Sequence, residues 1–443
     1  MNYTSLVGHI VELCGQIDTN NTPADRLTSN FIRERKYLGS HDRRYITSVV
    51  FGVLRNRRYL EALLEQYLAD YPSREIINTP DLRYVPLIGA YLISMESETD
   101  ENLQQILSHT WKTDFPETDF MEYVRWIREN ADLKFLSDDS TVRIGVKYSF
   151  QDWMVTRLSE QCGDGLEPLL KSLNTPANTS LRVNILKCTR DECKARLKQE
   201  GIECEDSQYS PAGLVVGKRF NKEASKCFKE GWFEMQDEGS QVVSLLAGVK
   251  AGQTVIDACA GTGGKTLHLA ELMHDEGEII AVDVDVKRLY ELQARAARAG
   301  VHSIQVLLKE RMLPENFYGK ADLVLIDAPC NGSGTIRRNP GLKWNLTEAL
   351  VSHYAEMQKE ILEFNAPFVK NGGRLIYVTC SLFREENEQA IEGFLSKYPD
   401  FSLIPLQEEA SRIGIHCDSP FIHLLPHKLN TDGFFVAGMV RGN

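Results

Sequence analysis

The stretch QTVIDACAGTGGKTLHLAELMH, residues 253–274, decides the fold class. Its first part is a short apolar run, its middle is a glycine-rich turn, and its last part repeats apolar residues at helical spacing. Strand, tight turn and helix in that order open a βα unit. The pattern then recurs. Strand-like EIIAVDV (278–284) leads to the helical KRLYELQARAARAG (287–300), closed by Gly300. IQVLL (304–308) and ADLVLIDA (321–328) are two further strands, followed by the long helix TEALVSHYAEMQKEILEFNAPFV (347–369). GRLIYVT (373–379) is a strand, REENEQAIEGFLSKY (384–398) a helix, and FSLIPL (401–406) and GFFVAGMV (433–440) are late strands. Apolar strands separated by amphipathic helices predict an α/β domain: a parallel, doubly wound sheet with helices on both faces. Ligands in such sheets sit at the carboxyl ends of the strands.

Upstream the character differs. Residues 1–140 read as helical, with YITSVVFGVL and YLEALLEQYL carrying apolar residues three and four apart, and SMESETDEN (94–102) as an acidic loop. Residues 141–235 read as a small α+β unit. It begins at VRIGVKYS, continues in a helix from Gln151 to Cys162, and then alternates the short runs TSLRVNIL and GLVVG with a helix in DECKARLKQEG. The expected organisation is therefore 1–140 helical, 141–235 α+β and 236–443 catalytic-type α/β.

At 443 residues, with 42% hydrophobic and 25% charged, the chain is globular in composition and long enough for several domains. No run approaches a membrane span, and MNYTSLVGHIVELCG lacks the marks of a secretory signal. The ten cysteines are dispersed and form no CxxC pair, which argues against a disulfide framework or a zinc site and for a reducing, cytoplasmic setting. Net charge is −12, yet nine basic residues face two acids between Arg26 and Arg58. A local patch of that kind overrides a whole-chain sum when nucleic acid is the partner.

Four strand ends carry the chemistry. At 255–266, VIDACAGTGGKT, the glycines let the backbone approach a ligand at a helix amino terminus. The spacing is neither that of a phosphate loop nor the usual dinucleotide turn. At 281–285, AVDVD, Asp283 stands where a carboxylate accepts ribose hydroxyls, whereas Asp285 suits a helix cap. Together these two ends suggest a nucleoside-containing cofactor without separating NAD from S-adenosylmethionine. At 326–334, IDAPCNGSG, Asp327 and Cys330 end a third strand, and at 377–381, YVTCS, Cys380 ends a fourth. One strand cysteine is usually a small hydrophobe. Two at the active edges of separate strands, one near an Asp, point to thiol chemistry.

The four motifs together resemble the Sun/RsmB (NOP2/Sun) RNA cytosine-5 methyltransferases. IDAPCNGSGTIRRNPGLKW, VTCSLFREENE and TDGFFVAGMV carry the resemblance, as do LRVN (181–184), GWFEMQDEGSQ (231–241) and LGSHDRRYITSVVFGVLRNRR, so it covers nearly the whole chain. The order of domains is most similar to the RsmB branch. That implies a NusB-like helical RNA-binding domain, a small α+β RNA-binding domain and a Rossmann-like class I methyltransferase domain. There are departures. The family usually reads C-A-A-P-G-G-K-T in the first motif, whereas Gly261 and Thr262 stand here in place of Ala and Pro. Asn331 replaces the usual Ser. Glu310, in LKERM, stands in for an Asp that usually follows the third strand.

The resemblance implies methyl transfer from S-adenosylmethionine to carbon 5 of an RNA cytosine, with 16S rRNA as the expected substrate and no metal. It puts the nucleophile on Cys380 and a proton-handling role on Cys330. Asp327 holds the base, and Lys265 supports it electrostatically. The cofactor is expected over Cys259, Ala260, Gly261, Thr262, Gly263, Gly264 and Lys265, with Asp283 on the ribose and Glu310 and Asp327 alongside. Arg33, Arg35, Arg43, Arg44, Arg55, Arg57 and Arg58 are the candidate RNA contacts of the helical region, and Arg337 and Arg338 those beside the target. A monomer is expected. Three alternatives compete: the same chemistry on tRNA, a ribosome-assembly or RNA-binding protein without catalysis, and an NAD-dependent dehydrogenase. The last gives no reason for two strand-end cysteines.

Overall fold

The computed structural model describes residues 3–20, 24–71, 84–96, 103, 117–130, 138–218 and 220–442. Most of the acidic loop expected at 94–102 lies outside them. The chain divides into two compact units, Met1–Thr175 with Ile336–Leu346, and Pro176–Thr335 with Thr347–Asn443.

The first unit is helical, with helices at Tyr3–Thr19, Ala24–Glu34, Ser40–Asp70, Tyr84–Ser94 and Glu117–Asn130. The two apolar segments noted in the sequence lie on the single helix Ser40–Asp70, which buries Ile46, Val50, Leu60, Leu63 and Tyr67. The unit extends further than the expected boundary at residue 140. Asp139 accepts a hydrogen bond from Thr141 N at 2.7 Å and so starts a helix at VRIGVKY, which ends where Ser149 turns left-handed at φ 58°. The helices Ser140–Tyr148, Asp152–Cys162 and Leu166–Leu173 all belong to this unit. Arg58 fastens them, donating to Phe150 O at 2.5 Å and to Asp152 at 2.6 Å.

Segment Ile336–Leu346, the R-R-N-P…K-W stretch, also belongs to the helical unit. Lys343 is wholly buried, and its ammonium donates to Arg55 O (2.6 Å), Ser149 O (2.7 Å) and Asn174 Oδ1 (2.9 Å). Trp344 Nε1 donates to Leu54 O at 2.8 Å. Burial holds the Lys343 pKa well below the usual lysine range. Lys343→Met would leave three acceptors without that donor. It is expected to destabilise the unit by about 3 kcal/mol in urea unfolding, and a loss below about 0.5 kcal/mol would contradict this role.

The second unit holds two sheets. Strands β1 (Thr179–Val183), β2 (Cys204–Asp206), β3 (Gly213–Val216) and β4 (Phe233–Met235) form a small antiparallel sheet in the order β2-β3-β1-β4. The helix Arg190–Gln199 packs against it, started by a Thr189–Glu192 capping box. The large sheet contains β5 (Thr254–Asp257), β6 (Glu278–Asp283), β7 (Ile304–Leu308), β8 (Ala321–Asp327), β9 (Val369–Thr379), β10 (Phe401–Ile404), β11 (Ile422–Leu424) and β12 (Phe434–Arg441). Its order is β10-β12-β9-β8-β5-β6-β7, with β11 paired to β12.

Strands β5 to β9 run parallel, but β12 is antiparallel to β9, β10 and β11. The sheet is therefore mixed rather than wholly parallel. The connection 425–433 between β11 and β12 is shorter than the dozen or so residues a parallel crossover needs. The strand order reverses between β5 and β8, which opens a crevice at their carboxyl ends. Among the described residues no helix is long and apolar enough to cross a membrane.

Candidate active site

The turn after β5 begins the site. Gly263 has φ 87° and caps the helix Gly264–Leu272, and a Cβ there would meet Leu292 Cγ at 2.5 Å. Both features require glycine. Gly261 N donates to Asp283 Oδ2 at 2.8 Å, which ties the turn to the end of β6. Asp285, two residues on, caps the next helix through Lys287 N. Asp283 is therefore the acid left facing the crevice.

A cavity of about 680 Å³ lies at these strand ends. Of the residues expected to hold the cofactor, Cys259, Ala260, Gly261, Thr262, Gly264, Lys265, Asp283 and Asp327 line it. Gly263 and Glu310 do not. Gly263 supports the turn from behind. Glu310 is exposed on the short turn Lys309–Arg311, and its neighbour Lys309 reaches the cavity instead. Val284, Met357, Ile361 and Phe364 supply an apolar wall.

These residues fit S-adenosylmethionine. The volume suits a nucleoside-sized ligand, Asp283 retains lone pairs for ribose hydroxyls, and the apolar wall suits an adenine. A buried acid that the motif reading did not single out adds to the fit. Asp257, at the end of β5, lines the cavity, accepts from Thr266 Oγ1 at 2.7 Å through Oδ2, and has no hydrogen-bonding partner on Oδ1.

Burial pushes the Asp257 carboxyl up to about 7, opposed by the Thr266 hydrogen bond and reinforced by the nearby Asp327. Its unfolded value is about 3.9. Between the two, the folded protein holds a proton that the unfolded chain has released. The group's stabilisation is thus complete below about pH 4 and lost as pH rises through 7, a change on the order of 4 kcal/mol. Urea unfolding from pH 4 to 8 is expected to show the stability of the wild type falling relative to Asp257→Asn. A constant difference would contradict this assignment.

At the far end of the cavity Lys265 Nζ meets Asp327 Oδ2 at 2.7 Å. Beyond them, strands β8 and β9 bring the two cysteines together, with Cys330 Sγ 3.0 Å from Cys380 Sγ and Cys380 N 3.3 Å from Cys330 Sγ. Neither thiol lines the cavity itself, which stops at Asp327 and Pro329. The hydrogen bond with Cys380, and then burial, raise the Cys330 thiol well above its ordinary range. Burial likewise pushes Cys259 up, so it is an inert wall residue.

Two features hold the cysteine loops. Gly334 N donates to Cys380 O at 2.8 Å, and Gly433 N donates to Gly334 O at 2.8 Å. A Cβ on Gly334 would lie 2.3 Å from Gly433 O, so the D-G-F-F strand approaches closely only because both residues are glycine. The second is Glu386 of the E-E-N-E segment, fully buried between the loops. It accepts from Asn331 N (3.1 Å), Asn331 Nδ2, Ser381 Oγ (2.9 Å) and Gln358 Nε2 (2.9 Å). Asn331 also donates to Ser381 Oγ at 2.7 Å, and its Oδ1 accepts from Ser333 N at 2.7 Å. The asparagine is therefore fully used here and is more than a small change from serine.

The candidate RNA arginines separate into two groups. Arg35 pairs with Glu12 (2.6 Å), Arg57 with Asp18 and Glu61 (2.7 and 2.9 Å), and Arg58 with Asp152. Arg43 bonds Leu38 O at 2.9 Å, and Arg55 bonds Arg337 O at 3.0 Å. Arg337 is buried inside the helical unit, so its place is in packing; Arg338 is half-buried. Arg33 and Arg44 are the exposed members of the set.

Comparison with known proteins bears on this site. Residues 244–440 match a family described as 16S rRNA methyltransferase RsmB/F, and residues 150–222 match its ferredoxin-like domain. The probable ribosomal RNA small subunit methyltransferase B of Synechocystis sp. is 31% identical over 91% of this chain and 92% of its own length. The corresponding protein of Bacillus subtilis is 29% identical over 99% of both chains. Among solved structures, that of PH0851 is 30% identical and covers 100% of this chain and 99% of its own, with a TM-score of 0.78.

Proposed function

Because this chain belongs to the RsmB/F family of 16S rRNA methyltransferases, we propose that its paired strand-end cysteines divide the work of methylating carbon 5 of a 16S rRNA cytosine. The observation that carries this reading is the 3.0 Å contact between Cys330 and Cys380, next to the Lys265–Asp327 pair. Carbon 5 of cytosine is a weak nucleophile. Addition of the Cys380 thiolate to carbon 6 converts the ring to an enamine and makes carbon 5 reactive. Asp327 keeps ring nitrogen 3 protonated and so stabilises the charge that develops on attack, and Lys265 fixes the orientation of Asp327.

S-adenosylmethionine, when bound, supplies a methyl group activated by its sulfonium. Asp283, Asp257 and the backbone of Gly261 to Lys265 would hold it. Once Cys380 is bonded to carbon 6, the thiol contact that kept Cys330 protonated is gone. Cys330 gives up its own proton to solvent, its thiolate takes the carbon 5 proton, and the electron pair of that C–H bond re-forms the carbon 5–carbon 6 double bond as the Cys380 thiolate leaves.

The target base must leave its stack to reach these groups. We assign phosphate contact in the helical unit to Arg33 and Arg44, the exposed members of the candidate arginine set. The enzyme acts as a monomer in this reading, since one chain carries every residue of the site. The test is transfer of labelled methyl from S-adenosylmethionine to unmodified 16S rRNA and, separately, to unmodified tRNA. Label in rRNA cytosine supports the assignment. Label confined to tRNA would overturn the substrate, and no label in either would overturn the catalytic reading.

A further inference from the structure

The cofactor turn of this chain carries the pair Gly261–Thr262 ahead of Gly263, and glycine at 261 leaves the backbone there conformationally free. Two arginines that do not line the cavity hold that turn: Arg182 of β1, and Arg295 of the helix Val286–Ala299, which pairs with Glu234 of β4. Arg182 of β1 is wholly buried. Its guanidinium donates to Glu271 at 2.7 and 3.1 Å, to Gly264 O at 2.8 Å and to Gln236 Oε1. It thus grips the helix Gly264–Leu272 both at its first residue and two turns later. Gln236 in turn bonds Ser240, a cavity residue, at 3.0 Å. On the other side, Glu234 of β4 accepts from Arg295 at 3.1 and 3.2 Å and also pairs with Arg298. Arg295 Nη1 donates to Thr262 O at 2.7 Å and to Thr262 Oγ1 at 2.9 Å. The second of these bonds needs a hydroxyl at residue 262.

We infer that the small sheet is a brace for the S-adenosylmethionine turn, with Arg182 and Arg295 as positioning residues for cofactor binding. The inference rests on the cofactor reading above and extends it. The carbonyls of Thr262 and Gly264 are thus held on both sides of Gly263, and the turn is fixed in its ligand-ready form before the ligand arrives. Pre-ordering of that kind lowers the cost of binding. The carbonyl that Arg182 holds also precedes Lys265, so the same brace sets the residue that orients Asp327.

Arg295 is the better test position, because its side chain reaches the surface and the buried Arg182–Glu271 pair can be left intact. Calorimetric titration with S-adenosylmethionine, without RNA, is compared for wild type, Arg295→Met, Arg295→Lys and Thr262→Val, together with kcat at saturating cofactor and the KM for 16S rRNA. The brace predicts that Arg295→Met weakens cofactor binding about ten-fold, the loss expected for charge-assisted hydrogen bonds. Arg295→Lys should recover part of this and Thr262→Val should lose less than Arg295→Met. In Arg295→Met and Arg295→Lys, kcat at saturating cofactor and the KM for RNA should stay within about two-fold of wild type. Cofactor affinity unchanged in Arg295→Met, with only a lower melting temperature, would overturn the proposal. So would a rise confined to the KM for RNA. A wild type that fails to bind S-adenosylmethionine would instead overturn the cofactor reading itself, so the two failures are distinguishable.

Discussion

Cys380→Ala is expected to abolish methyl transfer, lowering kcat by about four orders of magnitude or more while leaving the affinity for S-adenosylmethionine near that of the wild type. Loss of a covalent nucleophile has effects of this size because the remaining groups cannot open the alternative route. The affinity should be spared for a structural reason: Cys380 follows β9, beyond Asp327 and Pro329, and does not line the cofactor cavity. Fold should be spared as well. Cys380 is only partly buried, and the bond that seats it, from Gly334 N, is to its backbone oxygen. Single-turnover assays with labelled cofactor would measure the first effect and calorimetry the second. A variant that retained a tenth of wild-type turnover would remove Cys380 from the nucleophile's role.

Cys330→Ala is expected to do the opposite of nothing: the enzyme should start the reaction and fail to finish it. Addition by Cys380 does not need Cys330, whereas release requires a group that removes the carbon 5 proton. The 3.0 Å separation places Cys330 beside the bond to be broken. The variant should accumulate a protein–RNA adduct that survives denaturing electrophoresis and that is absent from Cys380→Ala and from the double variant. If Cys330→Ala turned over normally with no adduct, the division of labour between the thiols would be wrong. If the adduct formed equally in the double variant, a different nucleophile would be at work.

How much of this was legible in the sequence depended on the range of the interaction. The strand-turn-helix at 253–274 is local, and the structure follows it closely, with β5 at Thr254–Asp257 and the helix at Gly264–Leu272. The roles of Asp283 and Asp285 were also separable, because a cap must directly precede its helix and Asp285 does. What no local pattern carries is which strands become neighbours. That Cys330 and Cys380 touch follows from β8 lying beside β9, fifty residues apart in sequence. The antiparallel setting of β12 likewise depends on a connection too short to cross over.

The arginine stretch shows the limit of charge counting. Composition records that Arg35, Arg57 and Arg58 are basic, but their carboxylate partners Glu12, Asp18 and Asp152 come from other helices. The boundary at residue 140 shifted for a related reason: VRIGVKY alternates like a strand, but the Asp139 cap and the contacts of Arg58 place it as a helix of the first unit. Glu386, Arg182 and Lys343 lay inside motifs visible in the sequence. Their work as buried anchors could not be assigned until their partners were known. Of the two nucleoside cofactors that a glycine-rich turn and an acid allowed, the family assignment settles on S-adenosylmethionine.

The central claim is that Cys380 forms a covalent bond to carbon 6 of the target cytosine. The most direct measurement uses 16S rRNA carrying 5-fluorocytidine with wild-type enzyme and S-adenosylmethionine. Fluorine at carbon 5 cannot leave as the proton does, so the adduct cannot resolve. Mass spectrometry of the digested complex is predicted to find one modified peptide, with the methylated fluorocytidine nucleotide on Cys380. Attachment at Cys330, at another residue, or no attachment at all would contradict the account.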